Sequence, residues 1–453
     1  MTSTRQGGAL RALGGGLLLT TLGLLASAPA LAVPSFARQT GQECAACHIG
    51  AYGPQLTPYG VRFKIGGYTD TDGKEGKVPL SAMLVTSFTR TAKAQDEKPD
   101  GASRTNNNRT MDETSVFLAG RLADQIGAFI QTTYSGIDKK GSMDQADIRF
   151  AHVTEVAGKE TVLGLSLNNN PGGQDPFNSM PAWGFPYVGS DLAFGSGSIS
   201  SMINGGLTAR VTGLSAYAFW NNAVYAEVGT YRSLSPSMQS KFGLGRADDM
   251  GRLGAGTSYW RLAYMQDMKK QAFNAGIFGF NTNIQPDRST PGSNRYNDLG
   301  VDASYQFLGT REHVATVSTS YIRERQTLNA ALDAGDVENR KARLNEFKAN
   351  ASYHYNQTWG LTGSRFITQG SKDAVLYSDG YANSSPNTSG YILQADWTPW
   401  GKEASWGAPW ANLRLGVQYT MYTKYNGAKT NYDGNGRDAK DNNTLFLFAW
   451  TSF

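Results

Sequence analysis

Five consecutive residues carry the plainest chemistry in the chain: Cys44, Ala45, Ala46, Cys47 and His48. Two thiols two residues apart, followed at once by an imidazole, form the C-x-x-C-H pattern by which a c-type haem is attached. The spacing lets both sulfurs add to vinyl groups along one porphyrin edge. The adjacent His48 then falls beneath the iron as its proximal ligand. Other uses of paired cysteines fit less well. A zinc site would call for two more Cys or His ligands nearby, and Cys44 and Cys47 are the only cysteines present. A thioredoxin-like pair would sit within a βαβ pattern, and none surrounds these residues. The expectation is one covalently bound c-type haem, tethered by Cys44 and Cys47 and ligated by His48.

The compartment must allow that attachment. Arg5 and Arg11 supply a positive n-region, Leu13 to Ala26 an apolar stretch, and Ala30-Leu31-Ala32 a small-residue cleavage site. This reads as a secretory signal over residues 1–32, and the apolar run is too short to span a membrane as a helix. A mature chain starting at Val33 would reach the bacterial periplasm, where c-type haem is attached.

The segment 33–77 is too short to wrap a haem alone, because about 40 residues rarely bury enough surface to fold unaided. The walls must come from the rest of the chain. The 53 Gly, 22 Tyr, 20 Phe and 9 Trp suit an aromatic, Gly-rich, all-β protein. The mean hydropathy of −0.40 does not exclude a membrane barrel, which hides its apolar residues by alternation. Without Arg5 and Arg11 the chain carries 40 basic against 37 acidic residues, which gives no support to a nucleic-acid partner.

From residue 78 to 453 the text alternates. Leu80 to Arg90, Thr114 to Leu122 and Gly127 to Tyr134 read as the first three strands. Short turns recur near Ala157-Gly158, Asn221-Asn222, Lys269-Lys270, Gly309-Thr310 and Asn356-Gln357. Long polar loops recur at Thr91 to Asp112, Gly136 to Asp144, Asn168 to Gly206, Ser233 to Gly256, Asn283 to Asn297, Glu324 to Leu344, Gly370 to Ser389 and Lys424 to Asp441. Strands of about ten residues, with loops long at one end and short at the other, mark an outer-membrane β-barrel, here of about sixteen strands. Trp260, Tyr353, Tyr355, Trp397, Trp400 and Trp410 suit its interfacial aromatic girdles. The last strand, with Phe446, Phe448 and Trp450 alternating with Leu445, Leu447 and Ala449, is apolar on both faces.

The barrel narrows the search for a second haem ligand. Segment 33–77 holds no Met and no His beyond His48. By alternation His354 shares the lumenal face with Asn350 and Ser352, near the periplasmic end, and is a distal candidate, with a water or an empty position equally open. Met83 and Met265 are also expected to face the lumen, whereas His152 faces lipid. The loop Asn168 to Gly206, with Trp183, Phe185, Tyr187 and Phe194, is the best suited to fold inward over a haem. On the donor side Asp96, Glu97, Asp175, Asp191 and Asp433 offer hard oxygen ligands for Fe(II).

Two stretches resemble a known family. They are Pro34-Ser35-Phe36-Ala37-Arg38-Gln39-Thr40-Gly41 ahead of the haem motif, with Pro54-Gln55-Leu56-Thr57-Pro58-Tyr59-Gly60 and Phe63-Lys64 after it, and Asn168-Asn169-Asn170-Pro171, Gln174-Asp175 and Pro181 to Tyr187. Both look like the fused monohaem cytochrome–porins, the outer-membrane Fe(II) oxidases of iron-oxidising bacteria. The resemblance implies a haem plugged into a porin-like barrel. It also implies electron flow from an extracellular reductant, Fe(II) first among them, to a periplasmic cytochrome, which would make the protein an Fe(II):cytochrome c oxidoreductase. It does not establish the donor. The rival expectations are a channel with the haem as redox gate or sensor, and a conduit with a non-iron donor or acceptor. Outer-membrane lipid is the expected surroundings, and no residue marks a seam between copies of the chain.

Overall fold

The structure is a computed structural model describing residues 34–179, 184–193, 199–207, 209–244, 251–378, 380–402 and 405–453. The signal segment expected over residues 1–32 lies outside them, as do Trp183 and Phe194. The sheet comprises β1 (Leu80–Thr91), β2 (Asn108–Ala123), β3 (Ile126–Ser135), β4 (Lys140–Val156), β5 (Lys159–Asn168), β6 (Val211–Trp220), β7 (Val224–Ser233), β8 (Arg252–Leu253) and β9 (Ser258–Asp267). It continues with β10 (Gln271–Gln285), β11 (Asn294–Phe307), β12 (His313–Thr327), β13 (Lys341–Tyr355), β14 (Trp359–Gly370), β15 (Thr388–Trp397), β16 (Asn412–Lys424) and β17 (Thr444–Ser452).

Leaving aside the two-residue β8, these are sixteen long strands, each antiparallel to its neighbours. The ring closes where β1 pairs with β17, from Met83 opposite Ser452 to Thr91 opposite Thr444. Closure leaves no free edge, which is the condition for a sheet to cross a membrane. Alternation then sorts the side chains. Val116, Leu165, Val228, Leu299, Val317 and Leu361 are exposed on the outside, while Asp147, Arg149, Glu227, Arg261, Asp302 and Asp396 are buried within. Apolar outside and charged inside is the reverse of a water-soluble protein, and it makes this a bacterial outer-membrane barrel. At the end with short turns, Trp359 and Trp397 stack outside with ring centroids 5.7 Å apart, as an interfacial girdle requires.

The expected strand count holds, but several expected loops are shorter. Asp144 lies inside β4, Glu324 inside β12 and Leu344 inside β13. Polar residues there face the lumen or stand above the lipid, so polarity marks the limit of the bilayer and not the end of the ladder. The ambiguous last strand is also settled: Phe446 and Phe448 are buried inward, and Leu447 is exposed outward.

Residues 34–77 form short helices whose hydrogen bonds run to the barrel wall near its short-turn end. The helix Ser35–Thr40 ends at Gly41 in the left-handed region. Its Arg38 donates to the Leu80 carbonyl at 2.7 Å, and its Gln39 Oε1 accepts from the Arg121 amide at 2.7 Å. The helix Pro58–Ile65 begins with Pro58 behind an N-cap, Thr57, whose hydroxyl accepts from the Gly60 amide. Further round the ring, Gln55 donates to Thr316, Gln306 to the Leu56 carbonyl, Asn412 to the Ala51 carbonyl and Tyr217 to the Ile65 carbonyl, all at 2.7–2.8 Å.

Candidate functional site

Cys44–Cys47 is a single helical turn, closed by the His48 amide donating to the Cys44 carbonyl at 2.9 Å. One turn puts residues three apart on one side, so both thiols face the same way. The following chain folds back. His48 bridges Leu56, and the Thr57 amide and hydroxyl donate to the Cys47 and Ala46 carbonyls at 2.9 and 2.6 Å. This clamps the motif onto the helix Pro58–Ile65. The approach is so close that a Cβ at Gly60 would collide with the Cys47 carbonyl oxygen.

Cys44, Cys47 and His48 all line one cavity of about 330 Å³, within the range that takes a small organic ligand. Its remaining walls mix aromatic residues with polar and charged ones, Glu43, Lys64, Glu113 and Asp144 among them. Phe36, Phe63 and Tyr68 come from the N-terminal segment, and Phe117, Phe129 and Trp450 come from β2, β3 and β17. Phe36 meets Phe63 edge-on at 4.9 Å and stacks on Tyr68 at 5.5 Å. Tyr52 packs edge-on against Trp450 at 4.9 Å and shares a hydrogen bond with Ser452. A flat apolar macrocycle suits such walls, and the two thiols and the imidazole are the groups a c-type haem needs. The His48 Nδ1 is buried with no hydrogen-bond partner among the described residues.

Enclosure sets the electrostatics. Burial pushes the Cys44 thiol up to about 11 and the Cys47 thiol, with Cys44 beside it, up to about 12. Both thiols are therefore neutral at pH 7, although they open onto the cavity. Burial holds the His48 imidazole neutral, down at about 4, against a hydrogen bond to the Gly53 backbone. A neutral imidazole is the ligating form. Lys64, also on the lining, donates to the Gly173 and Asp175 carbonyls and to Asn178 Oδ1 at 3.2, 2.8 and 2.8 Å. Burial, with Arg149 nearby, brings its amine down to about 7.

His354 is lumenal and buried, as alternation expects, but it is not on the cavity lining. Its ring lies against Gly50. Met83 does line the cavity, 6 % exposed, packed with Val85, Phe117 and Ala119. Met265 is buried in a separate cluster with Tyr217 and Tyr225. His152 stands outside beside Gln125, and His313 pairs with Tyr353 on the exposed face.

The carboxylates need a correction. Asp175 is no donor-side residue: it is wholly buried against Arg261, at 3.3 Å, in a network where Arg261 also grips Asp302 at 2.8 Å. Asp433 turns its carboxylate to the amides of Asn435 and Arg437 in its own loop. Glu113 and Asp144, which alternation did not single out, also line the cavity. Each stands at a break in register, between Val85 and Thr86 opposite β2 and between Gln131 and Thr132 opposite β4. A bulge re-aims side chains and breaks the period of two. Asp144, Asp191 and Asp112 all lie near Glu113.

Of the loop expected to fold inward, residues 169–178 are buried. Asn178 donates to the Pro54 carbonyl at 2.9 Å, and Tyr187 joins the cavity wall.

No protein-family model matches the chain, and no curated protein matches it. Among solved structures, the chain resembles the anion-selective porin from Comamonas acidovorans at 11 % identity and a TM-score of 0.44, over 82 % of this chain and 98 % of that one. It resembles outer-membrane expressed OmpT of Vibrio cholerae at 9 % and 0.43, over 84 % and 99 %. It resembles the outer-membrane channel DcaP of Acinetobacter baumannii at 10 % and 0.42, over 83 % and 96 %. At these levels the likeness carries no argument, and the barrel rests on its own closed ladder.

Proposed function

We propose that this barrel is an outer-membrane electron-transfer protein, with residues 34–77 as a haem-bearing plug of its lumen. In this reading it oxidises an extracellular reductant, Fe(II) being the first to test, and passes the electron to a periplasmic cytochrome. The observation that carries the reading is the single cavity shared by Cys44, Cys47 and His48. The resemblance of residues 34–64 to the fused cytochrome–porins supports it.

A haem held there supplies a one-electron Fe(III)/Fe(II) couple. Cys44 and Cys47 would hold the porphyrin through thioethers, and His48 would hold its iron. Met83 is the lining residue that would best serve as a second ligand to that iron. Among the described residues its thioether makes no hydrogen bond, whereas Lys64, Tyr52 and Tyr68 are committed to Asn178, Ser452 and Asp147. Phe36, Phe63, Phe117, Phe129 and Trp450 would cover part of the group's faces, and burial is one lever on potential. Glu113 and Asp144 on the lining would draw a divalent cation to the cavity, as hard oxygen donors do. An Fe(II) ion there would pass one electron to the ferric haem that Cys44, Cys47 and His48 would hold, and leave as Fe(III), so no tight metal site is needed. The apolar band of the membrane is about 25 Å thick, and a redox group inside the lumen shortens the gap on both sides.

The test is anaerobic stopped-flow spectroscopy on pre-oxidised protein in outer membranes. Fast reduction of the haem α-band by Fe(II), absent in Cys44→Ala/Cys47→Ala, supports the reading. Reduction by dithionite but not by Fe(II) overturns the iron donor and leaves a conduit for another partner. The second reading, a channel gated by its haem, draws on the porin-like barrel. Ion conductance in planar bilayers that changes with haem redox state favours it, and a silent bilayer opposes it.

A further inference from the structure

The outer wall of the barrel is uneven in charge. On four adjacent strands, β11 to β14, the outward positions near the long-loop end include Arg295, Arg323, Arg325, Lys341 and Arg343, all exposed, with Arg365 half-buried below them. Register brings them together. Arg325 stands directly opposite Arg343, and Thr327, between Arg295 and Lys341, is opposite both. Like charges directly opposite one another are destabilising. Among the described residues none of these cations is in an ion pair. That includes pairing with Asp333, Asp336 and Glu338 of the overlying loop.

Their height matters. His313 of β12 is level with Tyr355 and Trp359 in the lower girdle, and Arg323 stands ten residues along the same strand. At about 3.4 Å per residue and a tilt of about 40°, that rise is about 26 Å, against an apolar band of about 25 Å. Arg323 thus marks the upper edge of the hydrocarbon. Arg325, Arg343, Arg295 and Lys341 stand in the headgroup layer of the outer leaflet. Directly below them Val301, Tyr321 and Phe347 form an exposed apolar surface. Arg365 reaches back up from within the band, its guanidinium over the Tyr391 ring at 4.4 Å and donating to the Gly390 carbonyl at 3.0 Å.

We propose that this patch binds a phosphate-bearing anionic lipid of the outer leaflet. The cations take the headgroup phosphates, and the apolar surface beneath takes the acyl chains. A soluble anion would use only the upper half of this surface, whereas a lipid uses both. Phosphate recognition suits guanidinium forks, and each such cation adds attraction to an anionic headgroup layer.

The experiment uses the intact protein purified in detergent and follows barrel unfolding, so that it is independent of the haem. The probe is a diphosphorylated, hexa-acylated glycolipid, compared with its dephosphorylated form and with inorganic pyrophosphate. The diphosphorylated lipid should stabilise the barrel. Arg323→Gln/Arg325→Gln/Arg343→Gln should weaken its binding roughly 100-fold, the weight of three surface cations. The charge-matched control Arg90→Gln/Arg109→Gln/Arg232→Gln, on other strands, should bind as the parent does. Equal binding by the patch variant, or by the dephosphorylated lipid, overturns the proposal. Stabilisation by pyrophosphate as strong as by the lipid also overturns it. Should the triple variant fail to fold, Arg325→Gln alone should still weaken binding several-fold.

Discussion

The imidazole of His354 lies against the backbone of Gly50, so close that a Cβ on Gly50 would stand 2.5 Å from both Cδ2 and Nε2 of the ring. The contact seals the N-terminal segment to β13, with the Gly50 amide donating to Gln357 Oε1 at 2.8 Å just beyond it. A wall contact and an iron ligand make different predictions. His354→Ala should leave the haem spectrum and potential as they are. Gly50→Ala should loosen the segment, because Gly50 has φ +72° as well as no room. A cost of about 1–3 kcal/mol is expected from the overpacking, seen as protease cleavage within residues 34–77 at a lower temperature than in the parent.

Met83 should behave differently. If its sulfur holds the second axial position, Met83→Leu keeps the packing but removes the ligand, and the haem should become high-spin with a lower potential, since Met/His ligation raises it. Met83→His should restore the low-spin spectrum. An unchanged electron paramagnetic resonance spectrum in Met83→Leu would falsify the assignment.

Glu113→Gln/Asp144→Asn should slow haem reduction by Fe(II) by about tenfold or more, because an acidic cleft concentrates cations. Reduction by an uncharged hydroquinone should be unaffected, and added salt should narrow the gap between parent and variant. Equal slowing of both reductants would mean the substitutions disturb the haem instead.

Lys64 gives a pH dependence of defined sign. Its amine is brought down to about 7 by burial first and by Arg149 second, against Asp147, Asp175 and Glu227. The unfolded amine keeps its proton to about 10.4, so between those values the unfolded chain binds more protons and stability rises with pH. Docking of residues 34–77 should therefore strengthen from pH 7 toward pH 10, read as the temperature of protease release. Lys64→Met should flatten that slope.

How far the sequence reached differs from feature to feature. Cys44, Cys47 and His48 were legible because their chemistry depends on local spacing. The inward facing of Met83, Met265 and His354 was legible because alternation along a regular strand is also local. Glu113 and Asp144 were hidden, since each sits at a bulge where the period of two breaks. Asp175 looked like a loop acid, and only the arrival of Arg261 from β9 makes it an internal ion pair.

The amino-acid sequence by itself determined the paired thiols and imidazole, the strand rhythm and the barrel, because each depends on residues within about ten of one another. Tertiary structure alone decided which residues share a space. Phe36, Phe117, Phe129 and Trp450 converge on one cavity from segments separated by up to the whole length of the barrel. His354 meets Gly50 rather than that cavity. Arg325 meets Arg343 across a loop of thirteen residues, 328–340. Register and closure fix such meetings, and both are set by the ladder as a whole, since a slip of one residue would turn every side chain of a strand to its other face.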